Sequence, residues 1–130
     1  MWTGQDFAAV ADDLCLAAGK GTCTAEGAYR AAIGRYYYAA LLTARGVLEA
    51  QGPLLVNRFS DSSHKQVIDA LADRQDPPAK LAANSLKQLR DLRNAADYGD
   101  AIHDPNRTAQ RASSLCREVL KWLGGMRPRA

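Results

Sequence analysis

The stretch that decides the fold is RAAIGRYYYAALLTARGVLEAQG, residues 30–52. Its apolar side chains recur every three or four residues, which places them on one face of an amphipathic helix. These side chains are Ile33, Tyr36, Tyr37, Ala40, Leu41, Ala44, Val47 and Leu48. The other side is not plainly polar, because Tyr38 and Leu42 lie there beside Arg35 and Arg45. We therefore predict a long central helix that packs against neighbours on two sides.

Further amphipathic segments precede and follow this helix, each bounded by residues that start or stop helices. Thr22 or Thr24 is expected to cap the central helix, and Asp104 followed by Pro105 to begin the last one. The first helix is predicted over about 4–18. The third is expected to be capped by Asp61, Ser62 or Ser63 and to end near Arg74. The fourth should begin at Pro77 or Pro78 and end at Tyr98 and Gly99, and the fifth should end at Gly124. No segment shows the alternation of apolar and polar residues that is typical of a strand. Because the connections between the helices are short, the sequence predicts an all-α, antiparallel up-and-down bundle of four to five helices.

The composition is that of a single folded domain. The chain has 130 residues, of which 47% are hydrophobic and 24% charged, so we expect one domain over residues 1–130 with a short flexible tail from about 125. No apolar run approaches the ~20 residues of a membrane-spanning helix. The N-terminus MWTGQDFAAVADDL lacks the basic start and apolar block of a secretory signal. We therefore expect a cytoplasmic protein with no membrane partner.

The sequence offers no pattern for a metal or cofactor. Cys15, Cys23 and Cys116 do not have C-x-x-C spacing, so we interpret them as reduced thiols. There is no phosphate-binding loop and no Ser-His-Asp order. Lys and Arg outnumber Asp and Glu by 17 to 14, an excess that permits a nucleic-acid partner without arguing for one.

Polar chemistry concentrates in LRDLRNAADYGD, residues 89–100. At 100° per residue Arg93 and Asp97 share a helix face, and Arg90 and Asn94 lie close enough to point into the same groove. Arg93 starts from the edge of the apolar face. Its guanidinium can bind a phosphate through two hydrogen bonds, or it can pair with Asp97 and hold the bundle closed. Both interpretations stay open at this point.

Two segments resemble HEPN domains, small helical bundles found in many prokaryotic defence and toxin–antitoxin proteins. The central stretch is similar to the family's Arg-x-Tyr-Tyr-Ala-Ala helix at Arg35, Tyr37, Tyr38, Ala39 and Ala40, with Gly34 where such helices often have serine. The sequence RNAADY, residues 93–98, looks like the family's later helix, which commonly ends in an Arg-x-x-Ala-Asp-Tyr type sequence. With the terminal amphipathic helix, the resemblance covers most of residues 5–124.

The resemblance implies a homodimer in which an Arg-x(4 to 6)-His motif from each subunit enters a shared cleft, where RNA is cut without a metal. Other members lack the histidine and act as binding partners, often of a minimal nucleotidyltransferase. Two hypotheses follow. The first is an RNA-directed protein of a bacterial toxin–antitoxin or defence type system, with weak or modified endoribonuclease activity. The second is a non-catalytic interaction module that binds a nucleotidyltransferase or another effector through the same groove.

The motif histidine is replaced by Tyr98, which follows Arg93 after four intervening residues. A histidine, with a pKa near 6.5, exchanges protons at neutral pH, whereas a tyrosine, with a pKa near 10, is a poor base. The sequence therefore does not decide whether the protein is an enzyme. His64 follows Arg58 with five residues between them, a formal match to the motif that spans a loop and a cap. His103 is expected to be an exposed loop residue.

The candidate site follows from both lines of argument. The candidate catalytic residues are Arg93 for the phosphate and Tyr98 or His64 as proton relay. The candidate binding residues are Arg90, Asn94, Asp97 and Arg35, and no metal ligand is expected. Tyr36 and Tyr37 are expected in the core with their hydroxyls reaching a partner. Tyr38, with Leu42, is expected at a subunit interface.

Overall fold

The computed structural model describes residues 3–21, 24–50, 62–99 and 102–124. Five α-helices run through these ranges: α1 (Gly4–Leu16), α2 (Ala25–Ala50), α3 (Ser62–Ala72), α4 (Pro77–Tyr98) and α5 (Pro105–Gly124). The described ranges contain no strand. The predicted all-α bundle is therefore confirmed. Cys23, Arg58, Asp61 and the predicted tail from about 125 lie outside the described residues.

Helix α2 is the centre of the bundle. It contacts each of the other four helices. Tyr37 and Ile33 are fully buried, and Leu41 is nearly so. Alanines fill the positions between these large side chains, so neighbouring helices can approach α2 closely. The prediction that this helix packs on more than one side is confirmed.

Contacts between α2 and α4 show that these two helices are antiparallel. At the start of α2, Nη1 of Arg30 donates to the carbonyl oxygens of Ala96 (2.8 Å) and Gly99 (3.0 Å) at the end of α4. Further along α2, Tyr38 meets Arg93, which lies earlier on α4. Residue numbers rise on one helix as they fall on the other. The final turn of α4 is therefore tied to the first turns of the central helix.

Helix α4 ends at Gly99, although not in the left-handed conformation that glycine often adopts after a helix. Gly99 is extended, with φ −78° and ψ 140°. Left-handed caps satisfy the last carbonyl groups through backbone N–H groups. Here the guanidinium of Arg30 satisfies the carbonyls of Ala96 and Gly99 instead.

Two predicted caps are present. The hydroxyl of Thr24 accepts a hydrogen bond from the N–H of Gly27 at 3.0 Å, so Thr24 caps α2. The carboxylate of Asp104 accepts from the N–H of Arg107 at 3.2 Å at the start of α5. Both bonds satisfy backbone donors that a helix start leaves without an intrahelical partner.

The apolar spacing of the fourth helix predicts a core stripe of Leu81, Ala82, Leu86, Leu89, Leu92 and Ala96, and one residue of this stripe is wrong. Leu81, assigned to the apolar stripe of α4, is 47% exposed. The buried face of α4 instead follows Ala79, Ala82, Leu86 and Leu89 at helical spacing, and Leu81 lies about 100° away from Ala82. The small alanines are buried because α4 packs against α2, α3 and α5 at once.

No helix within the described ranges combines the length and the apolar character needed to cross a bilayer.

Candidate functional site

Arg93 and Asp97 form an ion pair on α4. Nε of Arg93 lies 2.8 Å from Oδ2 of Asp97, and the two side chains are 18% and 37% exposed. The same Nε has no hydrogen-bond partner, so the pair is a charge contact without an aligned N–H···O bond. Of the two interpretations that the sequence left open, the internal ion pair is present. It occupies one edge of the guanidinium only.

Three tyrosine rings surround that guanidinium. Cζ of Arg93 lies 5.9 Å from the ring centre of Tyr37, 5.7 Å from that of Tyr38 and 5.9 Å from that of Tyr98. Nη2 also donates a long hydrogen bond of 3.4 Å to the Tyr38 hydroxyl. Tyr37 is buried, whereas Tyr98 is 75% exposed. The cation is therefore attracted to ring faces both in the core and at the surface.

His64, in the first turn of α3, joins the same group. Its Nδ1 lies 3.0 Å from the hydroxyl oxygen of Tyr37. Its ring centre is 5.6 Å from that of Tyr37, and 6.1 Å, edge-on, from that of Tyr38. We call Arg93, Asp97, Tyr37, Tyr38, Tyr98 and His64 the Arg93 cluster. It draws on α2, α3 and α4.

The structure therefore brings together all three candidate catalytic residues, Arg93, Tyr98 and His64. The formal motif match of Arg58 with His64 cannot be followed, because Arg58 lies outside the described residues. His103 is exposed in the bend before α5.

The hydroxyl of Tyr37 is in a position to control His64. Burial raises the pKa of Tyr37 to about 12, although the charges of Arg90, Arg93 and Arg45 act against that rise. The hydroxyl therefore keeps its proton at neutral pH and can donate it to Nδ1 of His64. A neutral imidazole that accepts at Nδ1 carries its own proton on Nε2.

The remaining predicted binding residues lie on α2 and α4, the helices that also carry most of the cluster. Arg90 is half-buried and Asn94 exposed, both on α4. Arg35 is exposed on α2, with its Cζ 5.9 Å from the ring centre of Phe7. The Phe7 ring lies 6.5 Å from that of Tyr38, so Arg35 reaches the cluster only through an intervening ring.

Sequence reasoning did not connect one member of the cluster with Arg93 and missed two neighbours. Tyr38 was expected on the second side of the central helix, as a candidate for a subunit interface, and its ring contacts both Arg93 and His64. The reason is that α2 is enclosed by other helices, so its second face also meets a neighbour. Arg30 and Arg45 were not singled out. Spacing offered a signal for both, because Arg30 precedes Tyr37 by seven residues and Arg45 follows Tyr38 by seven.

A second polar network lies on another side of α2. The hydroxyl of Tyr36 donates to Oδ1 of Asp12 at 2.6 Å, and Nη2 of Arg117 donates to Oδ2 at 2.8 Å. Burial, together with the bond to Asp12, raises the pKa of Tyr36. A cavity of about 570 Å³ next to this network is lined by Cys15, Tyr29 and other side chains. Both oxygens of Asp12 are bonded within the protein, so the network ties α1, α2 and α5 together.

Within the described part of the chain, no group of three or more His, Cys, Asp or Glu residues is arranged to hold a metal ion.

Comparisons with known proteins bear on the same region. The model of the HEPN domain family matches residues 22–126. An uncharacterized protein of Methanocaldococcus jannaschii is 40% identical over 85 residues, covering 56% of this chain and 51% of that protein. The chain thus spans about half the length of the curated relative that it matches. No solved structure matches it.

Proposed function

This chain belongs to the HEPN domain family, and we propose that it is an RNA-directed protein of the toxin–antitoxin or defence type, acting in the cytoplasm. The Arg93 cluster binds the RNA backbone. The observation that carries this proposal is the Arg93 guanidinium, held among three tyrosine rings, one of which also packs edge-on against His64. A planar cation held in this way is well suited to a phosphate group.

Binding begins with an exchange of partners at Arg93. Oδ2 of Asp97 lies 2.8 Å from Nε of Arg93 without an aligned hydrogen bond, and the side chain of Asp97 is more exposed than that of Arg93. A phosphate oxygen can replace this carboxylate, because it carries the same charge and accepts hydrogen bonds equally well. Asn94 and Arg90, on the same helix, are placed to orient the incoming group.

Cleavage requires more than phosphate binding. A base must take the proton of the 2′-hydroxyl, and an acid must protonate the leaving oxygen. When Tyr37 donates to Nδ1, the free lone pair of His64 is occupied and Nε2 carries a proton. In this neutral form His64 donates a hydrogen bond through Nε2–H and has no free lone pair with which to act as a base. We therefore expect weak metal-independent cleavage, because the loss of one proton-transfer group typically lowers the rate by about 10²- to 10⁴-fold.

The test uses purified protein, labelled single-stranded RNA and EDTA, and compares wild type with Arg93→Gln. We expect wild type to bind RNA and to cleave it slowly, and Arg93→Gln to lose both properties. Arg107→Gln is the matched control, since it removes the same charge from an exposed position on α5. RNA binding that is equal in wild type and Arg93→Gln would contradict the proposal.

One observation favours the second candidate, a non-catalytic module that binds a minimal nucleotidyltransferase or another effector. Tyr98 exposes 75% of its surface at the end of α4, and exposed tyrosines are enriched in protein interfaces. In this case Tyr98→Ala weakens binding to a nucleotidyltransferase encoded nearby, and wild type does not bind RNA. Mass measurement after incubation with that transferase and ATP also tests whether Tyr98 accepts a nucleotide.

We further propose that the protein is a homodimer, with Leu42 of α2 at the interface. Leu42 is half-buried within one chain, so part of its surface is available to a second copy. Sedimentation velocity on wild type and Leu42→Glu tests this, because a buried charge at the interface shifts the protein to monomer. A wild type that sediments as a monomer excludes the dimer.

A further inference from the structure

Arg45 on α2 carries a buried polar atom that the fold does not satisfy. Its Nε is buried and has no hydrogen-bond partner. Glu49 lies four residues later on the helix but does not satisfy this atom. Buried side-chain donors in native proteins nearly always have a partner, because leaving one unbonded is unfavourable. The charge of Arg45 is therefore held in a partly buried position without a hydrogen bond at Nε.

The position of Arg45 connects it to the Arg93 cluster. Arg45 follows Tyr38 by seven residues, close to two full helical turns, so both project from nearly the same side of α2. Tyr38 contacts the guanidinium of Arg93. The charge of Arg45 also acts on the buried hydroxyl of Tyr37, as do the charges of Arg90 and Arg93. The three arginines therefore lie along the same region between α2 and α4.

Helix direction puts these groups in a row. Because α2 and α4 are antiparallel, positions after Tyr38 on α2 lie opposite positions before Arg93 on α4. Arg45 and Arg90 therefore extend the site in the same direction, away from Tyr98. Tyr38 lies opposite Arg93, and Arg45 follows Tyr38 by seven residues. At 1.5 Å per residue, the backbone of Arg45 therefore lies about 10 Å further along α2 than the backbone of Tyr38. A single phosphate cannot contact both ends of such a row.

The charges of the row are not balanced by acidic partners within the described part of the chain. Of these three arginines, Arg93 forms an ion pair with Asp97, and among the described residues no ion pair is present at Arg45 or Arg90. Arg45 and Arg90 are both half-buried, so water screens their charges less than it screens fully exposed ones. Three clustered cations with one acidic partner are complementary to a ligand that carries several negative charges.

We propose that Arg45, Arg90 and Arg93 form a basic row that binds successive phosphates of an RNA strand, with Arg45 holding a phosphate beyond the one at Arg93. The inference rests on the proposed function and makes it more specific. The ligand is a polyanionic strand, and a mononucleotide fills only the Arg93 end. Arg45 is then a binding residue that contacts the ligand through the accessible part of its half-buried side chain.

The experiment measures binding of a fluorescein-labelled short oligouridylate across a series of salt concentrations. Each phosphate contact on a single strand contributes about 0.7 to the slope of log affinity against log salt. We expect Arg45→Gln to lower that slope by about 0.7 and to weaken binding about tenfold at low salt. Competition by uridine monophosphate should be unchanged in Arg45→Gln. Arg93→Gln should weaken both ligands.

Three controls separate charge from folding. Arg107→Gln removes one charge from α5 and should keep the wild-type slope. Arg45→Lys keeps the charge and should restore most of the slope. If Arg45→Gln does not fold, the Nε–H resonance of Arg45 in wild type replaces it as the measurement. That resonance must shift when oligouridylate is added and must stay in place with uridine monophosphate.

The outcomes distinguish this inference from the proposed function. The basic row is overturned if Arg45→Gln keeps the wild-type salt slope while Arg93→Gln lowers it. It is also overturned if the Arg45 resonance does not respond to oligouridylate. Either result leaves RNA binding at Arg93 intact. A wild type that does not bind the oligonucleotide overturns both.

Discussion

The hydroxyl of Tyr37 lies 3.0 Å from Nδ1 of His64 and so connects the centre of the bundle to the first turn of α3. Tyr37 is fully buried, which holds its hydroxyl in one direction. The contact fixes the imidazole ring next to Tyr38, whose ring in turn contacts Arg93, and leaves Nε2 as its other polar atom. It also supplies the physical reason why the neutral ring of His64 is expected to donate a hydrogen bond through Nε2 and not to act as a base.

Replacing Tyr37 by phenylalanine tests this relationship directly. In wild type we expect the neutral imidazole of His64 to be in the Nε2–H form, and in Tyr37→Phe to be a mixture of tautomers, because the donor to Nδ1 is lost. The loss of one hydrogen bond should also lower the free energy of unfolding by about 1 kcal/mol. Nitrogen NMR of the imidazole and urea unfolding measure the two effects. An unchanged tautomer in Tyr37→Phe would show that another group fixes the ring.

Tyr37 also predicts how stability responds to alkaline pH. Its pKa is raised to about 12 by burial, whereas an unfolded tyrosine has a pKa near 10. Between these values the unfolded chain loses a proton that the folded protein keeps, so the free energy of unfolding falls as pH rises. The stabilisation is complete below about pH 10 and is lost as pH rises toward 12. Urea unfolding across this range should show a shallower decline in Tyr37→Phe. An equally steep decline in both proteins would assign the effect to other groups.

Asp97→Asn should strengthen the binding of anionic ligands. The substitution removes the carboxylate that lies 2.8 Å from Nε of Arg93, so a phosphate no longer has to displace a charged competitor. We expect several-fold tighter binding of oligouridylate. Stability should decrease by no more than about 1 kcal/mol, because partly exposed ion pairs contribute little. Fluorescence anisotropy and thermal melting measure the two quantities. Weaker binding in Asp97→Asn would mean that Asp97 orients the ligand and does not compete with it.

Tyr98→His places a histidine four intervening residues after Arg93. If the cluster lacks only a group that exchanges protons at neutral pH, cleavage in EDTA should increase by about 10²-fold or more. Tyr98→Phe is the control, since it keeps the ring near Arg93 and removes the hydroxyl. The comparison is made by gel electrophoresis of end-labelled RNA. RNA binding without any gain in cleavage would favour a site built for binding alone.

The helices could be predicted from the sequence because their signals are local. Periodic apolar residues define α2, and the caps Thr24 and Asp104 are short-range features whose geometry the structure reproduces. Leu81 was assigned wrongly because its large apolar side chain was counted as part of the core stripe. The buried face of α4 depends instead on which helices pack against it. Small residues such as Ala79 are buried there for the same reason.

The candidate site was predictable only along one helix at a time. The pairing of Arg93 with Asp97 follows from i,i+4 spacing and could be foreseen. The approach of His64 could be proposed but not deduced, because it depends on how α3 docks. The contacts of Tyr38 join residues 55 positions apart. A helical wheel gives the direction of a side chain but not the identity of the neighbouring helix.

The hydrogen bonds from Arg30 to the end of α4 affect how a ligand would bind there. Terminal turns of helices normally fray, and a residue such as Tyr98 would then sample many positions. Two hydrogen bonds from the innermost helix restrain this turn at Ala96 and Gly99. If RNA binds as proposed, this turn is restrained before the ligand arrives, so less conformational entropy is lost when the complex forms.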